Sequence, residues 1–298
     1  MGAPAIVPPG SPPPRRGFDR GLAGRLPAPA YFVAGAVSQY LGAALAVTLF
    51  DALGASAVAW LRVASSGVVL WLLRGRPRWA GLAPRSRSMV VAFGAALAAM
   101  NLTYYLAIER LPLGTATAIE FSGPISVAAL ASRTPRAWAA LAAAVAGVLL
   151  LAEVRWQASP DGVAFALGAA ALWAGYIVLG QRVAGAAPNL DALAWSMLVG
   201  SLVIAPFGAV GVAAHVDALT LAVLGGCVLV GLASNVVPYT LDQVVLARLD
   251  RGQFALLLAL LPATATAIGV VVLAERPSLA ELAGIGLVIL AVGVRPRR

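Results

Sequence analysis

Glu120 sits in "TAIEFSGPISVAAL" (117–130), a run otherwise suited to hydrocarbon or to a seam between packed helices, and a Gly123-Pro124 pair follows it closely. Two more strongly polar side chains interrupt apolar runs in the same half of the chain: Arg62 in "AVAWLRVASS" and Asn101 in "LAAMNLTYY". A charge facing lipid costs about 2.5 to 3.5 kcal/mol at a helix centre even on the milder insertion scale, so such groups face a cavity or one another. At 1.5 Å rise per residue Glu120 lies roughly 10 Å below the start of its run, and Arg62 and Asn101 lie at comparable depth, close enough in level to form one satisfied cluster. A carboxylate there can bind a cationic substrate group, carry protons, or pair structurally with Arg62, and the residue types alone leave these alternatives open.

Gln39, Tyr40, Trp173, Tyr176, Asn235 and Tyr239 add amides and aromatic faces with polar edges to the middle of other apolar runs, where they either line a path or pack a core. Asp242 reads as an interfacial carboxylate near the end of its run. Prolines also fall inside apolar runs, at Pro124, Pro206, Pro238 and Pro262. An interior proline lacks the donor that would close a helical turn and crowds the carbonyl four residues back. Gly123-Pro124, Pro238 and Pro262 are expected to interrupt helices where a site is built, and Pro206 to be a passive kink.

The residues that are missing exclude several classes of chemistry. All 21 basic residues are Arg, so neither a phosphate-gripping P-loop nor a Schiff-base lysine exists here. One Cys (Cys227) and one His (His215) cannot make an internal disulfide or the usual zinc ligand sets, and they leave hydrolytic triads without members. Neither an enzyme nor a bound cofactor or metal is expected. Cys227 reads as a small core residue and His215 as part of a polar connection.

The elements that must position these groups follow from composition. Hydrophobic residues make up 61% of 298, charged residues 11%, and mean hydropathy is +0.90, which places the chain among integral membrane proteins. Apolar runs near 30–50, 54–73, 88–108, 113–132, 137–153, 161–182, 190–212, 218–246, 252–273 and 278–294 are each long enough for a crossing helix, so the fold class is all-α with ten transmembrane helices. If connections alternate sides, 17 of the 21 Arg share a side with the N-terminus, three (Arg110, Arg155, Arg276) lie opposite, and Arg62 is within a span. The positive-inside rule then puts both termini in the cytoplasm. The net charge of +9 is thus a topology signal rather than a nucleic-acid footprint, since the Arg are dispersed through connections. Residues 1–27, rich in Pro and Arg, read as a disordered cytoplasmic tail.

A shift of 138 residues lays "LAIERLPLGTAT" (106–117) over "VVLARLDRGQFA" (244–255), matching Arg110, Leu111 and Gly114 to Arg248, Leu249 and Gly252, and carries Pro124 onto Pro262. A weaker match sets "GAVSQYLG" (35–42) against "GAAALWAG" (168–175), with Tyr40 facing Trp173. Two halves of five spans, 28–153 and 154–298, are expected, and an odd span number inverts the second half in the membrane. Inverted repeats of this kind place a substrate site near the midplane at their interface.

These stretches resemble the EamA-type branch of the drug/metabolite transporter superfamily, and within it the threonine/homoserine exporter group. The likeness is carried by "MNLTYYLAIERLPLGTATAIEFSGP" (100–124), "LGAAALWAGYIVLGQR" (167–182) and "VVPYTLDQVVLARL" (236–249). The resemblance implies a ten-helix inverted-repeat carrier that exports small metabolites, amino acids among them, without ATP. Family members often carry Glu directly before the second-half proline, where this chain has Leu261 before Pro262. The expectation is a multi-pass exporter in the cytoplasmic membrane of a prokaryote, working by alternating access on amino acids or similar metabolites, with the bilayer and a small molecule as partners and protons as a candidate coupling ion. Two other readings are a broad exporter of aromatic amino acids or cationic drugs, and a membrane scaffold that transports nothing.

Overall fold

In lipid every backbone donor and acceptor must be satisfied within the segment, and a chain this rich in Ala, Leu and Val meets that demand as helices. The structure is a computed structural model that describes residues 26–76, 79–81, 84–132, 134–156, 159–183, 190–246, 248 and 257–293. Among these residues there is no strand. The helices are α1 (Ala28–Leu73), α2 (Pro84–Ile108), α3 (Leu113–Glu120), α4 (Ser122–Ser132), α5 (Pro135–Trp156), α6 (Pro160–Val183), α7 (Leu190–Ala214), α8 (Leu221–Gly231), α9 (Val237–Leu246), α10 (Leu260–Val272) and α11 (Leu279–Gly293). Ala28–Leu73, Arg87–Ile108, Leu193–Ala214 and Leu221–Leu241 are long and apolar enough to cross a bilayer.

Prolines at helix starts and inside helices have opposite effects. Pro84, Pro135 and Pro160 open α2, α5 and α6, where the missing N–H has no partner to lose. Pro124 instead deprives the Glu120 carbonyl of its helical donor, and the run expected as one span from 113 to 132 divides at Phe121 into α3 and α4. Pro238 does the same to the Ser234 carbonyl. Here the chain widens into a π-helical turn, Leu232–Val236, with the Val237 N–H reaching back to the Leu232 carbonyl. Pro262 follows a turn at Ala259 between residues 257–258 and α10. Pro206 lies inside an unbroken α7, as a passive kink does.

α1 carries the first two expected spans as two helical arms, and its 46 residues would measure about 69 Å if straight, twice the hydrocarbon thickness. It is divided at Gly54, whose φ of 74° and ψ of 155° only glycine adopts without strain. The second arm begins at Ala55, whose N–H donates to Glu109 Oε1 at 3.0 Å, so a carboxylate from the end of α2 caps it.

Helices of the first half pack mainly on helices of the second. α1 lies against α7, α8 and α9; α2 against α6 and α7; α3 against α10 and α6; and α5 against α11. Small residues permit these approaches. A methyl group on Gly123 would collide with the Ala170 carbonyl of α6, and one on Gly114 with the Thr266 side chain of α10.

Candidate functional site

Arg62 projects from the second arm of α1 and is 6% exposed. Its Nη2 donates to Asn235 Oδ1 at 2.5 Å, and its guanidinium lies over the Tyr105 ring, 4.6 Å from the centroid. Asn235 belongs to the π-helical turn, where Pro238 has loosened the ladder. Its amide donates to Ser66 Oγ at 2.9 Å, and that hydroxyl donates to the carbonyls of Arg62 (2.7 Å) and Gly231 (3.1 Å). The network thus joins α1, α2 and the second-half turn around one buried cation, with a carbonyl dipole and a ring face for neighbours. Nε of Arg62 is sealed from solvent and has no hydrogen-bond partner.

Glu120 ends α3 and is 8% exposed. Among the described residues it makes no hydrogen bond and no ion pair, although the Arg62 charge is near enough to act on it. The single cluster of Glu120, Arg62 and Asn101 is therefore not formed among the described residues, and of the alternatives left open for Glu120 a direct pair with Arg62 is not seen. Arg62 bonds across the halves to Asn235, not to Glu120, because the break before Pro124 and the π-helical turn before Pro238 place an amide, rather than the carboxylate, within reach of the guanidinium.

Around the carboxylate the structure gathers hydroxyl groups. Tyr104 and Thr117 share a hydrogen bond of 2.8 Å, and Thr117 also donates to the Leu113 carbonyl at 2.7 Å. Tyr40, 2% exposed on the first arm of α1, is in the electrostatic field of Glu120 and beside Thr117. The Tyr105 hydroxyl lies beside Ser234 and Arg62 without completing a hydrogen bond. Phe121, next in sequence to Glu120, meets Trp173 of α6 edge-on with ring centroids 4.9 Å apart.

Of the expected site residues, Glu120, Arg62, Tyr40 and Asn235 are thus brought together, Trp173 touches the same helix break through Phe121, Gly123 and Pro124 follow that break, Pro238 follows the π-helical turn, and Pro262 lies in the first turn of α10. Asn101 is not in the network: it is 7% exposed, and its amide donates to the Leu97 carbonyl of its own helix at 2.8 Å. Gln39 is partly buried and takes part through its carbonyl, which accepts from Ser234 Oγ at 3.2 Å. Tyr239 is partly buried on α9. Tyr176 and Asp242 lie on α6 and α9, and their side chains are outside the described residues.

A second buried charge centre went unread in the sequence. Glu281 on α11 is 1% exposed; Oε1 accepts from Arg155 Nε at 2.7 Å and Thr115 Oγ1 at 3.1 Å, and Oε2 accepts from the Ser278 N–H at 2.9 Å. The Ser278 hydroxyl accepts from the Glu281 N–H at 3.2 Å. Ser278 and Glu281 form a capping box, legible as "SLAE" (278–281). Nearby, the Leu113 N–H that opens α3 donates to both oxygens of Glu275, at 2.9 and 3.2 Å. Burial in this connection pushes the Glu275 carboxyl above the usual carboxylate range, against the pull of the Leu113 N–H and of Arg155. The helix carrying Glu120 is therefore held at its start by α11 and the connection before it.

Residues 161–294 match the model of the EamA-like transporter family. The threonine/homoserine exporter RhtA of Escherichia coli strain K12 is 35% identical over 259 residues, 84% of this chain and 84% of that protein. The chain belongs to the EamA-like transporter family. The RhtA protein of Salmonella typhimurium strain LT2 is likewise 35% identical, over 243 residues that make up 78% of this chain and 79% of its own. A solved crystal structure shares the fold, with a TM-score of 0.56 at 19% identity over 89% of this chain and 95% of that one. The resemblance carried by the Glu120 and Pro238 stretches is thereby confirmed: this EamA-like transporter is a multi-pass membrane protein.

Proposed function

We propose that this chain exports threonine, homoserine or closely similar amino acids across the cytoplasmic membrane of a prokaryote, by alternating access and without ATP. The observation that carries the reading is a buried carboxylate without a partner among the described residues, Glu120, at a helix break. A carboxylate held so deep is costly unless a cation completes it, and a substrate ammonium group or a proton is such a cation. The exporters at 35% identity supply the substrate class.

Ten spans in two inverted repeats, 28–153 and 154–298 with both termini cytoplasmic after a tail of residues 1–27, are the architecture that suits this reading. Several contacts support the alternation of connections. The end of α2 caps the second arm of α1, the connection before α11 caps α3, and Arg155 at the end of α5 meets Glu281, so four connections expected on one side meet at one end. Arg248 donates to the Leu26 carbonyl at 3.1 Å and lies over Tyr31, as two positions on the opposite side would. Glu120, Arg62, Asn235, Tyr40 and Trp173 would form the site, with Asn101, Gln39, Tyr176 and Tyr239 in supporting places along the path.

The test is efflux of labelled amino acids from preloaded proteoliposomes containing the full chain, against empty liposomes and the Glu120→Gln variant. Threonine should leave faster than from empty vesicles, and the folded variant should lose that advantage. Full transport by a stable Glu120→Gln protein removes Glu120 from the mechanism. Preference for aromatic amino acids or cationic drugs over threonine replaces the substrate assignment, and no efflux of any of them favours the scaffold.

A further inference from the structure

Arg62 has an unsatisfied charge. It is buried, with 6% exposure, yet no carboxylate among the described residues pairs with it. Among the described residues its one side-chain hydrogen bond goes from Nη2 to the Asn235 amide oxygen, which leaves Nε without a partner. An amide oxygen and a ring face stabilise a guanidinium only partly; removing or withholding the counter-charge of a buried ion is strongly destabilising. The surroundings hold the group rigidly nonetheless. Asn235 is fixed by Ser66, Ser66 is fixed by two carbonyls, and Tyr105 supports the flat face from the other helix. A guanidinium oriented in this way with a free N–H is suited to a planar carboxylate.

Glu120 presents the complementary deficit. It too is buried, and among the described residues it is unpaired and makes no direct ion pair with Arg62. A structural salt bridge would have removed that deficit. Two opposite charges, both buried and each without a charged partner among the described residues, match a ligand that carries both charges itself.

We infer that Arg62 is the carboxylate anchor of the substrate site, so that an α-amino acid is bound as its zwitterion, carboxylate to Arg62 and ammonium to Glu120. This rests on the proposed export of amino acids and assigns the half of the substrate that Glu120 cannot recognise. The two buried charges and the two ligand charges sum to zero on each side, so binding removes both deficits at once. A ligand lacking its carboxylate leaves the guanidinium buried and unmatched.

The experiment uses the full chain in proteoliposomes, with exchange of labelled L-threonine challenged by L-threonine, by its methyl ester and amino alcohol, which lack the carboxylate charge, and by the hydroxy acid that lacks the ammonium. The wild type should prefer threonine over the ester and the amino alcohol by on the order of 100-fold. Arg62→Gln, checked for folding by monodisperse elution, should lose most of that preference while still rejecting the hydroxy acid. Arg62→Lys should retain part of it, and Glu120→Gln should lose discrimination against the hydroxy acid instead. Equal acceptance of threonine and its ester by the wild type overturns the Arg62 assignment while leaving amino-acid export standing, and so does an Arg62→Gln protein with the wild-type preference. Absence of threonine exchange in the wild type overturns the export reading itself and this assignment with it. The ester comparison is made on the unmodified protein, so it separates these outcomes even where a variant fails to fold.

Discussion

Replacing Glu281 by Ala should be among the more damaging single changes outside the Arg62 network, although no sequence pattern of buried charge points to it. The side chain is 2% exposed, and its oxygens receive Arg155, Thr115 and both the backbone and hydroxyl of Ser278. Loss of the capping box costs about 1 kcal/mol. Removing one member of a fully buried pair costs about 3 to 5 kcal/mol, but the Arg155 side chain is 28% exposed and keeps some water, so about 2 kcal/mol is appropriate for that part. The Thr115 hydroxyl adds about 0.5 kcal/mol. A total of about 3 to 4 kcal/mol corresponds to a fall in unfolding midpoint of roughly 6 to 8 °C at about 2 °C per kcal/mol. Thermal unfolding in detergent, followed by tryptophan fluorescence and by the monodisperse fraction, measures it. The double change Glu281→Gln with Arg155→Gln should be less destabilised than the sum of the two single changes, since no guanidinium is left without its counter-charge. A fall below about 2 °C for Glu281→Ala, or simple additivity in the double variant, would refute the argument that this cluster fastens α11 to α3 and α5.

Three further outcomes are expected. Single-Cys variants in a background lacking Cys227 should react with impermeant thiol reagents from outside the cell at 109–112 and 213–217 and stay protected at 75–87; external labelling of 75–87 would reverse the orientation. Pro124→Ala and Pro262→Ala should each restore a backbone donor, straighten the helix and slow efflux while membrane insertion is kept, and unchanged efflux in both would reduce these prolines to passive kinks. Gly54→Ala forces a side chain onto a φ of 74° and should lower the unfolding midpoint by roughly 2 to 6 °C for a strain of about 1 to 3 kcal/mol, whereas Gly225→Ala, in open space inside α8, should not lower it.

The helical class and the membrane setting were legible because both depend on quantities summed along the chain, and the family because its motifs are contiguous in sequence. Mean hydropathy of +0.90 needs no partner to be interpreted, and the "EFSGP" stretch carries its resemblance in five consecutive residues. Helix interruptions were legible for a related reason: a missing N–H and a crowded carbonyl are local properties of proline, so Pro124, Pro238 and Pro262 announce a break wherever their helices pack. The same chemistry located each break only approximately. It falls at Phe121 rather than at Gly123-Pro124, since the carbonyl left without a donor belongs to Glu120, four residues back.

Partner choice was not legible. Arg62 and Glu120 stood at one level in one half of the sequence, yet Arg62 takes Asn235, 173 residues away, and Asn101 turns back to its own helix. Glu281 likewise finds Arg155 across 126 residues and Thr115 across 166. In a soluble protein an apolar stripe identifies the face a helix buries, but a helix apolar all round offers no such stripe. In lipid the facing pairs are decided by where Gly114 and Gly123 let backbones approach and by which hydrogen bonds close across the contact. Composition determined that these helices cross a membrane and that their charges must be satisfied within it; only the packing of the two halves decided that Arg62 bonds to an amide and that Glu120 has no partner among the described residues.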